Sequence, residues 1–369
     1  MHPIGIDKRP IHRRGNEMSS STFFCSLAAA MQSSFIPIIS FKIPRPTVKS
    51  NPTLLAFESE LASRLEQLKS TDQIGYLSIE WLCKATDMVL STYSSAEMMF
   101  PDLHVAGFRG NQKWIDSFWD NSIKLLDICI ALKAALSEAK SYCVHLKVAL
   151  RAAEKDPLCE IQVKRCMNAL KKCVKALSNK DDSGSPLAQH KSKIEYCTSM
   201  LRRKGERLNM ADASNGNFFM AIYAAQVVTI FVCSLLSIAL SFKSTRSLSS
   251  MCVHGQSTWS SSLATLQQRV EEQIERRESR GSNALLEELG LADIAVPNFH
   301  SIMERSLGDK SSCDKEAQIL KVKQSAKVLQ ALLTDLQQRI PSLESHVDSI
   351  YRNLLRSRMS FLDMDQLGL

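Results

Sequence analysis

From residue 51 onward, apolar residues recur at every third or fourth position, the rhythm of helices with one buried face. Leu54, Phe57, Leu61, Leu65 and Leu68 open the series, behind Asn51 and Pro52 in helix-start positions. A second helix is predicted from about Leu77 to Tyr93, with Leu77, Trp81, Ala85, Met88 and Val89 facing inward. Pro101 to Gly110 reads as a loop. Leu125, Cys129, Leu132, Leu136, Ala139, Cys143, Leu146 and Leu150 then form an unbroken heptad seam, which Trp114, Ile115 and Phe118 extend upstream. After Asp156 and Pro157 the same spacing returns in Cys159, Val163, Cys166, Leu170, Cys173 and Leu177. A Ser/Gly/Asp-rich loop, Asn179 to Pro186, leads to a charged helix ending near Leu208.

The last third repeats the pattern. Ile319, Val322, Ala326, Leu329, Leu333, Leu336, Ile340, Leu343, Val347, Ile350 and Leu354 alternate in steps of three and four. Pro341 lies inside this run and predicts a kink or a fresh helix start there. An isolated stripe cannot hide itself from water, so the seams require partner helices. The expectation is an all-α fold: an elongated multi-helix bundle of long antiparallel helices filling 51–369. An intermolecular coiled coil over 314–360 is the weaker alternative, because the proline argues against a long straight rod.

One stretch breaks the alternation. No charged residue occurs between Ala213 and Phe242, and Phe218 to Phe242 would reach about 37 Å as a helix, enough to cross a bilayer core. Phe218, Val228, Phe231, Val232, Leu235, Ile238 and Phe242 are the candidate membrane-span residues. Tyr223, Gln226, Thr229, Cys233, Ser237 and Ser241 instead fall on one polar arc, which a lone lipid-facing anchor does not need. The reading stays divided between a span and a central core helix. It leans toward the span for the length of the charge-free run, although a span would separate the C-terminal seam from the first one.

Composition narrows the class. Hydrophobic residues make up 44% of 369, so a large core can form, and only 13 glycines argue against a turn-rich β fold. The net charge of +8 suits anionic lipid or an acidic partner. Residues 1–50 stand apart, with seven Lys/Arg against Asp7 and Glu17, many serines and five prolines. Such a segment is either a disordered basic tail or an organelle transit peptide, and the prolines suit the tail better.

Candidate chemistry is sparse. The phosphate-loop, dinucleotide, zinc-protease and nucleophile-elbow patterns are all missing from the sequence. Cys143 and His145 cannot both face inward on one helix, and Cys159, Cys166 and Cys173 read as small core residues rather than zinc ligands. Asp116 and Asp120, one turn apart, read as solvated residues near a helix start before they read as an acid–base pair. Lys164, Arg165, Lys171, Lys172 and Lys175 form one basic face, a solvated surface or a docking patch for lipid or protein. No aromatic residues are interleaved with it, so nucleic acid is not an expected partner. No catalytic, cofactor or metal residue is assigned.

Four stretches carry a family resemblance: Leu77 to Leu82, Trp114 to Cys129, Gln226 to Cys233, and Gly281 to Leu289. In this order, and covering roughly 53–360, they resemble the plant BYPASS-related family. The resemblance implies a helical protein without catalytic activity, linked to organ growth, long-range developmental signalling and, in one branch, the exocyst secretory machinery. It also implies a membrane-spanning reading of the apolar segment. The expectation is therefore an intracellular interaction protein, membrane-associated as a single-pass or peripheral protein, or else cytoplasmic. Its partners are other proteins, and its oligomeric state is open.

Overall fold

A computed structural model describes residues 51–70, 75–99, 112–155, 159–177, 216–241, 257–279, 284–308 and 315–366, with a few positions between 196 and 204. All belong to one compact unit, Ser50–Leu369. The N-terminal segment, the loops expected at 101–110 and 179–186, and the end of the charged helix near Leu208 lie outside the described residues.

Every regular element among the described residues is an α-helix. These are α1 (Pro52–Lys69), α2 (Ile79–Glu97), α3 (Gln112–Ala153), α4 (Glu160–Leu177), α5 (Asn217–Ala239), α6 (Thr258–Ser279), α7 (Glu287–Gly308) and α8 (Lys315–Gln366). Local chemistry sets the starts. Asn51 caps α1 by accepting from Thr53 N–H at 3.0 Å, and Pro52 sits where its missing donor does no harm. Helix α2 starts at Ile79 rather than Leu77, because Leu77 takes a positive φ of 64° and Ser78 becomes the cap.

The two longest helices form the spine. Phe118 packs on Phe361, Arg358 reaches Trp119 and Ser122, Lys133 pairs with Asp348, and Lys140 with Glu344, so α3 and α8 run antiparallel. Helix α2 lies along α8 in the opposite sense: Glu80 faces Arg339, Asp87 faces His346 and Glu97 faces Arg356, a parallel register. Helix α4 folds back onto α3, α1 packs on α6, and α7 fills the space beside α4 and α8.

The predicted seams are the core. All eight positions from Leu125 to Leu150 are buried, as are Leu329 to Leu354 on α8. The seams fail at their ends, where Cys159 and Ile319 (48% exposed) face solvent. Pro341 does not end α8, which runs unbroken through it for 52 residues, about 78 Å at helical rise. Both Pro341 and Gln337, whose carbonyl loses its partner, lie on the exposed face, so water can satisfy the orphan group.

A polar junction ties the two ends of the unit together. The Glu288 carboxylate, on a residue 6% exposed, accepts from Ile79 N–H at 2.9 Å and so caps α2 from a position 209 residues away. Glu287 N–H donates to Leu77 O, while Arg277 donates to the carbonyls of Tyr76 and Leu285 and pairs with Glu287. Burial pushes the Glu288 carboxyl above its ordinary range despite these donors. A raised folded-state value favours folding below the unfolded value and is lost as pH rises through the folded one. Glu288→Ala should therefore lower unfolding free energy by about 1–3 kcal/mol in urea titrations, by stranding Ile79 N–H. Glu288→Gln, which still accepts, should stay near the parent at pH 7 and flatten the loss of stability between acidic and neutral pH.

Candidate functional site

Helix α5 is long and apolar enough to cross a membrane by length and composition, yet 89% of its most apolar stretch is buried inside the protein. The span candidates Phe218, Val228, Phe231, Val232, Leu235 and Ile238 are all buried, and Phe242 lies outside the described residues. The polar arc is buried from Tyr223 to Ser237, with Gln226 only 3% exposed and Ser241 half-buried, so both faces of the helix are covered. Helix α2 packs against it most extensively, with α1 and α3 alongside. Trp114 of α3 meets Phe219 edge to face at 4.9 Å, and Phe361 of α8 reaches Phe218 at 5.6 Å.

The hydroxyls of this helix are satisfied within it. Thr229 donates to Ala225 O, Ser234 to Ile230 O and Ser237 to Cys233 O, each four residues back. The Tyr93 hydroxyl is enclosed among Thr229, Cys233, Cys129 and Glu97, and burial drives its acidity well below that of a free phenol. Gln226 leaves its amide nitrogen without a partner. A buried polar helix of this kind belongs to packing, not to exposure.

Helix α4 is divided. Val163, Cys166, Leu170 and Cys173 turn inward, and Lys164, Arg165, Lys171, Lys172 and Lys175 all stand exposed on the outer side. Ile161 shares that outer arc at 78% exposure. Glu160 pairs with Lys164 at 2.6 Å, and α4 adds no second carboxylate to the face. Cations around an exposed aliphatic residue make a surface able to dock on an anionic one.

The groups weighed for catalysis are not brought together. Asp116 lies on the surface, accepting from Gln112 at 3.1 Å, and Asp120 is held by Lys124 and by Lys204 at 2.7 Å. Those two lysines depress the Asp120 carboxyl, which marks it as an ion-pair partner and not a proton donor. Among the described residues, no three His, Cys, Asp or Glu side chains converge as metal ligands. Cys143, Cys166 and Cys173 are buried between α3 and its neighbours, and burial pushes their thiols up to about 11, about 12 and about 12. Sequence reasoning missed two features: the Arg277–Glu288 junction, and a groove between α2 and α8. Each joins residues more than 200 positions apart, for which the sequence offers no pairing signal.

The family model described as Protein BPS1 matches residues 105–364. The chain is 26% identical over 264 residues to UPF0496 protein 4 of Oryza sativa subsp. japonica, covering 70% of this chain but only 56% of that protein's length. It is 23% identical to Protein BPS1, chloroplastic, of Arabidopsis thaliana, over 85% of this chain and 83% of that one. Protein ROH1A of the same plant is 21% identical over 84% and 85% of the two chains. No solved structure matches. The cysteine geometry gives a direct check: in the native protein, maleimide should modify exposed Cys159 within minutes, and mass mapping should find Cys143, Cys166 and Cys173 labelled only after denaturant is added.

Proposed function

This chain belongs to the BPS1 family, the plant BYPASS-related group that its sequence resembles, and from that membership we propose a non-enzymatic regulator of plant growth that acts by docking other proteins. In this reading α5 is the rod at the centre of a scaffold, not a lipid-facing span. Membrane association, where it occurs, is peripheral and runs through the basic face of α4.

One observation carries the reading. Segments before and after α5 pack on each other: α1 on α6, and α2 and α3 on α8. A helix that crossed a bilayer would put those partners on opposite sides of it and strip both seams of their cover. The partners are components of secretory or developmental signalling machinery, the classes to which the family resemblance leads. The α4 face, with its cations and Ile161, is the docking element.

Three measurements test this. Full-length protein in plant cells should be released by carbonate washing, and retention in the washed membranes would defeat the core-helix reading. Val232→Lys places an unpaired charge at a fully buried position, so it should cost more than about 4 kcal/mol and abolish cooperative thermal unfolding. A spanning helix would instead keep the fold and lose only membrane retention. Replacing Lys164, Arg165, Lys171 and Lys172 with glutamine should leave the melting transition in place and remove proximity-labelled partners.

A further inference from the structure

Between α2 and α8 lies an open groove of about 460 Å³, lined by Leu90, Ser94, Ser349, Arg352, Asn353 and Arg356. Its make-up follows from the parallel register of the two helices, which sets the last turns of α2 against the 349–356 stretch of α8. Arg352 and Arg356 are one helical turn apart and both exposed, so two guanidinium forks stand over the same opening. Arg352 spends its Nε on Asp348 O at 3.3 Å, and among the described residues no acceptor meets its two terminal nitrogens.

Asn353 gives the groove its polarity. Its residue is only 4% exposed, and its Oδ1 accepts from Arg356 at 2.6 Å. Arginine is a donor only, so this bond fixes the orientation of the carboxamide. The Nδ2 donor is left buried without a partner. Ser349 donates its hydroxyl proton to Ser345 O at 2.9 Å, which leaves its oxygen able only to accept from a ligand. Ser94 contributes a second hydroxyl, and Leu90 an apolar wall.

The surrounding charges limit what fits. Asp348 is committed to Lys133 at 2.7 Å, so its carboxylate does not oppose an anion in the groove. Glu97 lies 4.0 Å from Arg356 Nε, and among the described residues its Oε1 receives no hydrogen bond. The lining itself carries two cations and no carboxylate, with donors for an oxyanion and a serine oxygen to accept from hydroxyls. Paired guanidinium forks match a phosphate's geometry better than they match a halide or a single carbonyl.

We propose that this groove binds a phosphomonoester carried on a hydroxyl-bearing body, such as an inositol phosphate. The phosphate sits on Arg352, Arg356 and the Asn353 Nδ2 donor, and ligand hydroxyls donate to Ser349 and Glu97. The same chemistry is offered by a soluble phosphate and by a phosphoinositide headgroup. The site is separate from the basic face of α4 and does not depend on the docking role assigned to that face.

Titration calorimetry of the full-length protein with inositol 1,4-bisphosphate, and sedimentation with phosphatidylcholine vesicles with and without phosphatidylinositol 4-phosphate, separate the two sources. Binding to either probe is expected to fall at least about tenfold in Arg352→Gln/Arg356→Gln. Asn353→Asp, which turns the buried donor into an anion, should weaken it similarly. Lys171→Gln/Lys172→Gln on α4 should leave binding of the soluble probe unchanged, because those lysines lie outside the groove. Urea titration of each variant confirms that it is folded, and Asn353→Leu serves as a packing control if the aspartate variant is not. Saturable binding of the soluble probe alone assigns a small-molecule ligand, and binding of the vesicles alone assigns a lipid. No binding of either probe by folded parent protein, or binding of either probe that is unchanged in the arginine pair, overturns the proposal.

Discussion

The architecture turns on concealing one charge-free helix. Helix α5 carries no charge, and both its apolar arc and its polar arc are buried, so no single neighbour can cover it. Covering both arcs takes α1, α2 and α3, with Phe361 of α8 closing over Phe218. That demand draws helices from early and late in the chain into one core. The long seams on α3 and α8 cover each other, and α3 also packs on the rod. The α3–α8 pairing, antiparallel over most of its length, is the largest consequence.

Burial supplies the attraction, but it does not choose a register. Greasy seams with a seven-residue repeat can slide by a turn at small loss, and polar contacts remove that freedom. Arg358 stacks 4.5 Å over Trp119 while donating to Trp119 O at 2.9 Å and to Ser122, a set that a one-turn slip would break at once. The Glu288 cap on α2 acts the same way at the other end. It holds a carboxyl out of water, where burial disfavours the charged form, and in return specifies where α7 begins relative to α2. Ion pairs such as Lys133–Asp348 are half exposed and contribute little energy, yet they lie on the same antiparallel register.

The helices and their inner faces were legible from spacing alone, because a heptad seam constrains burial residue by residue. Leu125, Leu136 and Leu146 are buried because water is excluded wherever two seams meet. Spacing could not say where a seam stops finding a partner, and Cys159 and Ile319 fall beyond that limit. Nor could it weigh Pro341, whose effect depends on whether the orphaned carbonyl of Gln337 reaches water. The apolar segment was ambiguous for a physical reason. A bilayer and a protein interior reward the same side chains, and only neighbours separated by sequence distinguish them.

Polar sites were the least legible part, and their geometry explains why. A catalytic motif is compact in sequence when one loop or turn supplies it. A groove between two helices takes each side chain from a different segment. Ser94 and Asn353 stand 259 positions apart and become neighbours only because α2 runs parallel to α8. Because α3 runs antiparallel to α8 and α2 runs parallel to it, α2 and α3 are antiparallel to each other. In such a bundle the polar and charged groups open to a partner lie at the surface, at the groove and on the outward face of α4. Its interior is committed to holding α5, and chemistry that needs water has little room there.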